Sequence, residues 1–95
     1  MLNVSIVLYH PNWKQVADLT AGLLQSKRVN LVYWIDNSPT AKEDLPIVLD
    51  RVRYIFNNKN IGYGAAHNIA IRESIYDDIP YHLVINPDIL VDVQA

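Results

Sequence analysis

The chain has 95 residues, of which 51% are hydrophobic and 19% charged, and its formal net charge is −2. This composition excludes a disordered segment and fits one globular domain, which at this length buries roughly 60–65% of its unfolded surface. The small negative charge argues against a nucleic acid bound through bulk positive charge, and the absence of cysteine excludes disulfides and thiolate metal sites.

The N-terminal segment "MLNVSIVLYHPN" has no basic residue ahead of its short apolar run. Neither this run nor any other approaches the roughly 18 consecutive apolar residues of a membrane span. A chain without cysteine also fits a reducing compartment. We therefore expect a cytoplasmic protein, for which any membrane contact is peripheral and at the inner face of the cell membrane.

Short apolar strands alternate with amphipathic helices along the chain. The first strand, "VSIVLY", is ended by "HPN", and Asn12 is placed to cap the helix that follows. Thr40 and Glu43 have capping-box spacing for a second helix, which Pro46 shortens. The predicted strands cover residues 4–9, 31–36, 52–56 and 81–85, and the predicted helices cover residues 13–25, 41–49 and 64–76.

This alternation predicts an α/β domain with a doubly wound, mostly parallel four-stranded sheet and helices on both faces. Strands that are apolar on both sides suit a parallel sheet covered by helices. In such sheets ligands bind outside the carboxyl ends of the strands. The residues that follow the four strands, namely 9–10, 36–38, 57–62 and 86–88, are therefore expected to share one edge.

The ends of the first two strands carry candidates for binding a base. Asp36 follows five apolar or aromatic residues, and its carboxylate can accept a hydrogen bond from the imide N–H of uracil or thymine. Alternatively, Asp36 caps the turn "DNSP" through its own backbone. Tyr9 can stack on a base, an interaction worth about 1–3 kcal/mol in nucleic-acid systems, or it can pack on a helix.

The segment "NNKNIGYGAAHN", residues 57–68, is a candidate phosphate loop. Gly62 and Gly64 permit positive φ and leave the main chain open to a ligand, and the helix that follows directs free N–H groups toward its start. The pattern is neither the dinucleotide fingerprint nor a Walker loop. Alternatively, its small residues serve close packing of the helix on the sheet.

The segment "NPD" at residues 86–88 is a candidate cation site. Mg²⁺ commonly takes one or two carboxylates and completes its shell with phosphate oxygens and water, so Asp88 suffices if the ligand is a diphosphate. Alternatively, the segment is a turn or a helix cap. The three histidines, His10, His67 and His82, have neither metal-ligand spacing nor a recognisable nucleophile partner, and we expect structural or surface roles for them.

Four segments in this order, "VSIVLYHPN", "WIDNS", "NKNIGYGAAHN" and "LVINPDI", resemble the nucleotide-binding half of the family 2 glycosyltransferases of GT-A fold. The subgroup is that of the rhamnosyltransferase-like enzymes of bacterial polysaccharide synthesis, and the resemblance spans nearly the whole chain. The family's third motif is Asn-x-Gly-x-Gly-x-Gly-x-Asn. Here it is formed by Asn60, Gly62, Gly64, Ala66 and Asn68, with one small residue exchanged.

The resemblance implies a role for each matching position of the nucleotide pocket. Tyr9 would lie beside the base, and Asp36 would hold the pyrimidine imide. Asn60 and Gly62 would line the pocket, and Asn68 would brace the loop.

At the end of the fourth strand, the resemblance implies a divalent cation. Asn86 stands where the family's Asp-x-Asp motif has its first aspartate, and Asp88 would bind the Mg²⁺ or Mn²⁺ that bridges the donor's diphosphate. Two departures from the family pattern are the replacement of that first carboxylate by Asn86 and the presence of Leu8 and His10 where Thr and Asn are frequent.

The implied function is glycosyl transfer from a UDP- or dTDP-sugar to a glycan or lipid-linked saccharide, with inversion. The family's general base and acceptor site lie downstream of the metal motif, beyond Ala95, so no catalytic residue is assigned. We expect residues 1–95 to be a donor-binding half that lacks the acceptor-binding half and does not transfer sugar alone. Apolar surface left exposed would favour self-association.

Two alternatives remain open. A non-catalytic α/β module, such as a scaffold or a receiver-like domain, shares the predicted fold, but a receiver needs an acidic cluster at the ends of the first and third strands. A nucleotidyltransferase also combines such a sheet with a metal-binding aspartate. It usually has a glycine-rich basic loop after the first strand, where this chain has "YHPNWK".

Overall fold

The computed structural model describes residues 1–42 and 50–86. All four predicted strands and the first and third predicted helices are confirmed, with ends shifted by two residues at most. The helix predicted over 41–49 lies outside the described residues from position 43 onward, and Ala41 and Lys42 are not helical. The elements are β1 (Leu2–Leu8), α1 (Trp13–Leu24), β2 (Val29–Asp36), β3 (Val52–Phe56), α2 (Tyr63–Tyr76) and β4 (Tyr81–Ile85).

The four strands form one sheet in the order β3-β2-β1-β4, and every pair of neighbours is parallel. The predicted doubly wound α/β fold is therefore confirmed, with a sheet that is entirely parallel in the described part of the chain. Because the strands run in the same direction, their carboxyl ends lie at one edge. This edge receives the residues that follow each strand.

One face of the sheet packs against α1. The helix begins where expected, since the Asn12 side chain accepts a hydrogen bond of 3.2 Å from the backbone N–H of Gln15. Trp34 of β2 is fully buried at the centre of this face. The buried apolar side chains around it belong to Val4, Ile6, Leu8, Val16, Val29 and Val32.

The opposite face packs against α2, so the predicted helices lie on both sides of the sheet. Its apolar cluster consists of Val7, Tyr33, Ile35, Ala66 and Ala70. The two alanines have no side chain beyond Cβ, which allows the helix to lie close to the strands. Ala65, predicted on the same side of this helix, is exposed.

In the described part of the chain, the outer strand β4 pairs with β1 alone and leaves apolar side chains in solvent, among them Tyr81, Leu83 and Val84. Ile75 and Tyr76 are exposed at the end of α2. The expectation of self-association applies to these exposed apolar side chains. Neither described helix has the length and apolar character needed to cross a membrane.

Candidate nucleotide site at the carboxyl edge

Asp36, the last residue of β2, is a buried carboxylate with only 1% of its surface exposed. Its Oδ1 accepts a hydrogen bond of 2.9 Å from the backbone N–H of Ser38, so the predicted turn-capping role is confirmed. The ion pair found within residues 1–42 and 50–86 joins Lys14 to Asp18 on the surface, and Asp36 has no such cationic partner there. A buried carboxylate without a cation depends on hydrogen-bond donors.

The second oxygen of Asp36 is held by Tyr54 of β3. The Tyr54 hydroxyl donates to Oδ2 over 2.6 Å and accepts a hydrogen bond of 3.1 Å from the backbone N–H of Lys42. Burial and the hydrogen bond to Asp36 raise the pKa of Tyr54 to about 12, so Tyr54 keeps its proton at neutral pH. Each carboxylate oxygen retains acceptor capacity for a further donor.

Asp36 forms part of the wall of a hollow of about 370 Å³, which is within the range of small-molecule sites. The ring of Trp13 forms another part of that wall and packs edge-on against Trp34 and Tyr54, at centroid distances of 5.7 and 6.2 Å. An aromatic wall beside a carboxylate acceptor suits a flat ring that carries an N–H donor. The lining residues are His10, Pro11, Trp13, Asp36, Ser38, Thr40, Ala41 and Lys42.

Tyr9 lies beside this hollow rather than in it. Its half-exposed ring, with Tyr63, lines a second hollow of about 240 Å³, and both hollows include His10 and Pro11. His10 has a left-handed backbone with φ 46°, and its N–H donates to Ser38 Oγ over 2.8 Å. This bond ties the end of β1 to the loop after β2, so the two hollows form adjoining parts of one edge.

The asparagine-rich loop is braced from within. Asn60 Oδ1 accepts hydrogen bonds from the Gly62 N–H over 2.9 Å and from Asn37 Nδ2 over 3.4 Å, and Asn57 Nδ2 donates to Asn37 Oδ1 over 2.8 Å. Asn37, 2% exposed, is therefore the centre of the brace. Asn68, to which the resemblance gives that role, is exposed on α2, and its side chain makes no hydrogen bond to residues 57–62 in the described part of the chain.

The two glycines of the loop differ in backbone conformation. Gly62 has φ 83° and ψ 162°, a region that essentially only glycine adopts, and it immediately precedes α2. Gly64 lies inside α2, where φ is negative and a Cβ would meet no atom within 4 Å. The predicted need for an unusual backbone therefore applies to Gly62.

Asn86 follows β4 at the same edge, and its Oδ1 lies 3.1 Å from His67 Nε2. His67 is buried and His82 is half-buried within a hydrogen-bond network, so the structural roles expected for these two residues are confirmed. Asp88, the predicted cation ligand, lies outside the described residues. Among those described, no three His, Asp or Glu side chains converge as a metal site.

No protein-family model, curated protein sequence or solved structure matches this chain. The structure itself brings Tyr9, Asp36, Asn60, Gly62 and Asn86 to one edge and places only Asp36 in the larger hollow. Two contributors to the site, Trp13 and Tyr54, were not predicted from the sequence, although the expected parallel pairing of β2 with β3 could have indicated Tyr54. Asn37 was expected at this edge within residues 36–38, but its bracing role was not predicted.

Proposed function

We propose that this chain binds a UDP- or dTDP-sugar, as the nucleotide-binding half of a glycosyltransferase. The observation that carries the proposal is the Asp36 carboxylate, which is buried in the wall of a hollow beside Trp13 and has no cationic partner among the described residues. The imide N–H of uracil or thymine would supply a donor to that carboxylate. Hydrogen bonds to charged groups contribute about 1.5–3 kcal/mol, so this contact would select the base.

In this proposal the diphosphate extends from the base along the carboxyl edge toward Asn86. A Mg²⁺ or Mn²⁺ ion bound by Asp88 would neutralise the charge that develops on the leaving diphosphate. Transfer to a glycan or lipid-linked acceptor would also need a base for the acceptor hydroxyl, which the resemblance places downstream of the metal motif. A nucleotide-sugar donor implies a cytoplasmic location, peripheral to the membrane if the acceptor is lipid-linked.

The base contact is tested with UDP and CDP, which share ribose and diphosphate and differ in the base. Cytosine has no imide N–H, so we expect UDP and dTDP to bind at least about tenfold more tightly than CDP in calorimetry with Mg²⁺ present. Asp36→Asn should reduce this preference to within about threefold. Equal binding of UDP and CDP by the unaltered protein, or no binding of any pyrimidine nucleotide, would contradict the proposal.

The cation is tested separately by measuring how Mg²⁺ or Mn²⁺ changes the melting temperature in the presence of UDP. Asp88→Ala should abolish the metal-dependent part of the shift. Asp18→Ala, which removes an exposed carboxylate of α1, is the matched control and should retain it. An unchanged metal-dependent shift of the melting temperature in Asp88→Ala would show that Asp88 does not bind the cation.

A further inference from the structure

Four side chains between α2 and the sheet are joined by hydrogen bonds in a series that ends at Asn86. Ser74 Oγ lies 2.7 Å from His82 Nδ1, and His82 Nε2 lies 2.8 Å from Ser5 Oγ. Ser5 Oγ lies 2.6 Å from His67 Nδ1, and His67 Nε2 lies 3.1 Å from Asn86 Oδ1. We call Ser74, His82, Ser5 and His67 the polar relay.

The donors and acceptors available to each side chain determine the direction of the polar relay, by which we mean the direction from donor to acceptor along its four hydrogen bonds. Asn86 Oδ1 can only accept, so a His67 ring with one N–H carries that proton on Nε2 and accepts through Nδ1. The proton on that bond then comes from the Ser5 hydroxyl, whose oxygen accepts from His82 Nε2–H. His82 Nδ1 in turn accepts from the Ser74 hydroxyl over the shorter of that oxygen's two possible donor contacts, 2.7 Å against 3.2 Å to the Ala70 carbonyl oxygen. In this direction the Ser74 proton is not given to Ala70, and four protons satisfy the four hydrogen bonds of the polar relay.

The opposite direction requires Asn86 to turn over. Asn86 Nδ2 would then donate to His67, every bond of the polar relay would reverse, and both rings would carry their protons on Nδ1. The Ser74 hydroxyl would donate to the carbonyl oxygen of Ala70, 3.2 Å away. Each orientation of the Asn86 amide therefore requires one particular tautomer of both histidines, so measuring the tautomers determines the orientation of the amide.

We infer that the polar relay is a positioning device, which holds Asn86 with its amide oxygen inward and its amide nitrogen toward the carboxyl edge as a donor to the diphosphate or ribose oxygens of a bound nucleotide. Ser74, His82, Ser5 and His67 are then positioning residues for Asn86. The identity of the ligand rests on the proposed function, whereas the direction of the polar relay does not.

Two further observations concern the His82 and Ser74 end of the polar relay. Burial and the neighbouring His67 lower the pKa of His82 from its ordinary value of 6.5, so this ring carries one N–H at pH 7. Asn3 Nδ2 donates to Ser74 Oγ over 2.9 Å, which anchors the far end of the polar relay to β1. The polar side chains of this region are thus paired from β1 to the edge of the sheet.

The direction is tested on the ligand-free protein by ¹⁵N NMR of the histidine rings at pH 7.5. We expect both His67 and His82 in the Nε2–H tautomer. Finding both rings protonated at Nδ1 would overturn the inference, because Asn86 would then present its oxygen to the edge. This measurement needs no variant and no nucleotide.

The coupling is tested with Ser5→Ala, which interrupts the polar relay without touching Asn86. We expect His67 to become a mixture of tautomers and UDP to bind about threefold to tenfold more weakly. The matched control is Thr20→Val, which removes a buried hydroxyl from the other face and should change neither readout. Unchanged UDP affinity in folded Ser5→Ala would contradict the positioning role.

Asn86→Asp provides a second variant, which leaves the polar relay itself intact. Aspartate retains an oxygen toward His67 but cannot donate, so in EDTA we expect UDP to bind about threefold to tenfold more weakly. Equal or tighter binding would overturn the donor role. If the unaltered protein does not bind UDP, the proposed function and this ligand both fail, while the ring tautomers still decide the direction of the polar relay.

Discussion

The two faces of the sheet are built differently. Against α1, bulky apolar side chains surround Trp34, and the hydroxyl of Thr20 accepts the indole N–H over 2.9 Å and donates to the Val16 carbonyl. Against α2, a smaller apolar cluster that includes two alanines of the helix lies beside the polar relay. The α1 face therefore has the larger cluster of buried apolar side chains. The α2 face has a smaller one, because the polar relay occupies part of the space between the helix and the sheet.

Both faces support the candidate site, but through different means. The α1 face holds Trp13 and Tyr54 around Asp36 by packing and one short hydrogen bond. The α2 face reaches Asn86 through four hydrogen bonds. Within residues 1–42 and 50–86, every buried side-chain nitrogen or oxygen has a partner. Truncating an apolar side chain of the α1 face should therefore lower stability. Interrupting the hydrogen bonds of the α2 face should also change the orientation of the Asn86 amide.

The largest expected effect is that of Trp34→Ala. Removing a fully buried indole leaves a cavity, and such truncations cost about 3–5 kcal/mol in the free energy of unfolding. Since small domains are stable by only about 5–15 kcal/mol, urea denaturation should show a midpoint far below that of the unaltered protein. A loss below about 1.5 kcal/mol would show that the α1 face does not dominate stability.

The close approach of α2 is tested by Ala70→Leu. Ala70 is fully buried against the sheet, and overpacking of this kind costs about 1–3 kcal/mol. Ala65→Leu on the exposed side of the same helix is the control and should change stability by less than about 0.5 kcal/mol. If the two variants unfold at the same urea concentration, the helix is not held tightly on this face.

The entry to α2 is tested by a pair of glycine variants. Gly62→Ala forces a side chain into a backbone region reserved for glycine and should cost about 1–3 kcal/mol. Gly64→Ala replaces a helical glycine in open space and should be neutral or stabilise by up to about 1 kcal/mol. The midpoint of thermal unfolding should fall for Gly62→Ala and stay unchanged or rise for Gly64→Ala. A fall of similar size in both variants would refute the distinction between the two positions.

The smallest expected effect is a pH dependence of the α2 face. The pKa of His82 is lowered in the folded state, so the unfolded chain takes up this proton first as the pH falls below about 6.5. His82 therefore contributes stability above that pH, which is lost progressively on acidification. Urea denaturation at pH 7.5 and 5.5 should show a smaller decrease for His82→Gln than for the unaltered protein. An equal decrease would assign the pH dependence to other groups.

Local pattern was sufficient to predict much of this fold. Apolar runs with β-branched residues located four strands, helical spacing located α1 and α2, and the type of residue at Asn12 located a cap. The parallel arrangement followed from the alternation of elements, and it placed Asp36 and Asn86 at one edge. These features depend on neighbours a few residues apart, which is why the sequence alone determined them.

Contacts between distant residues were decided only by tertiary structure. Tyr54 reaches Asp36 because β3 pairs with β2 in one register, and Ser5 meets His82 across 77 positions of the chain. Period two in a strand assigns a side chain to a face but does not identify what lies opposite. The role of the polar residues of β1 is visible only in the folded chain, where α2 and β4 supply their hydrogen-bond partners. A buried hydrogen bond needs both a donor and an acceptor, and the sequence of β1 alone shows only one of the two.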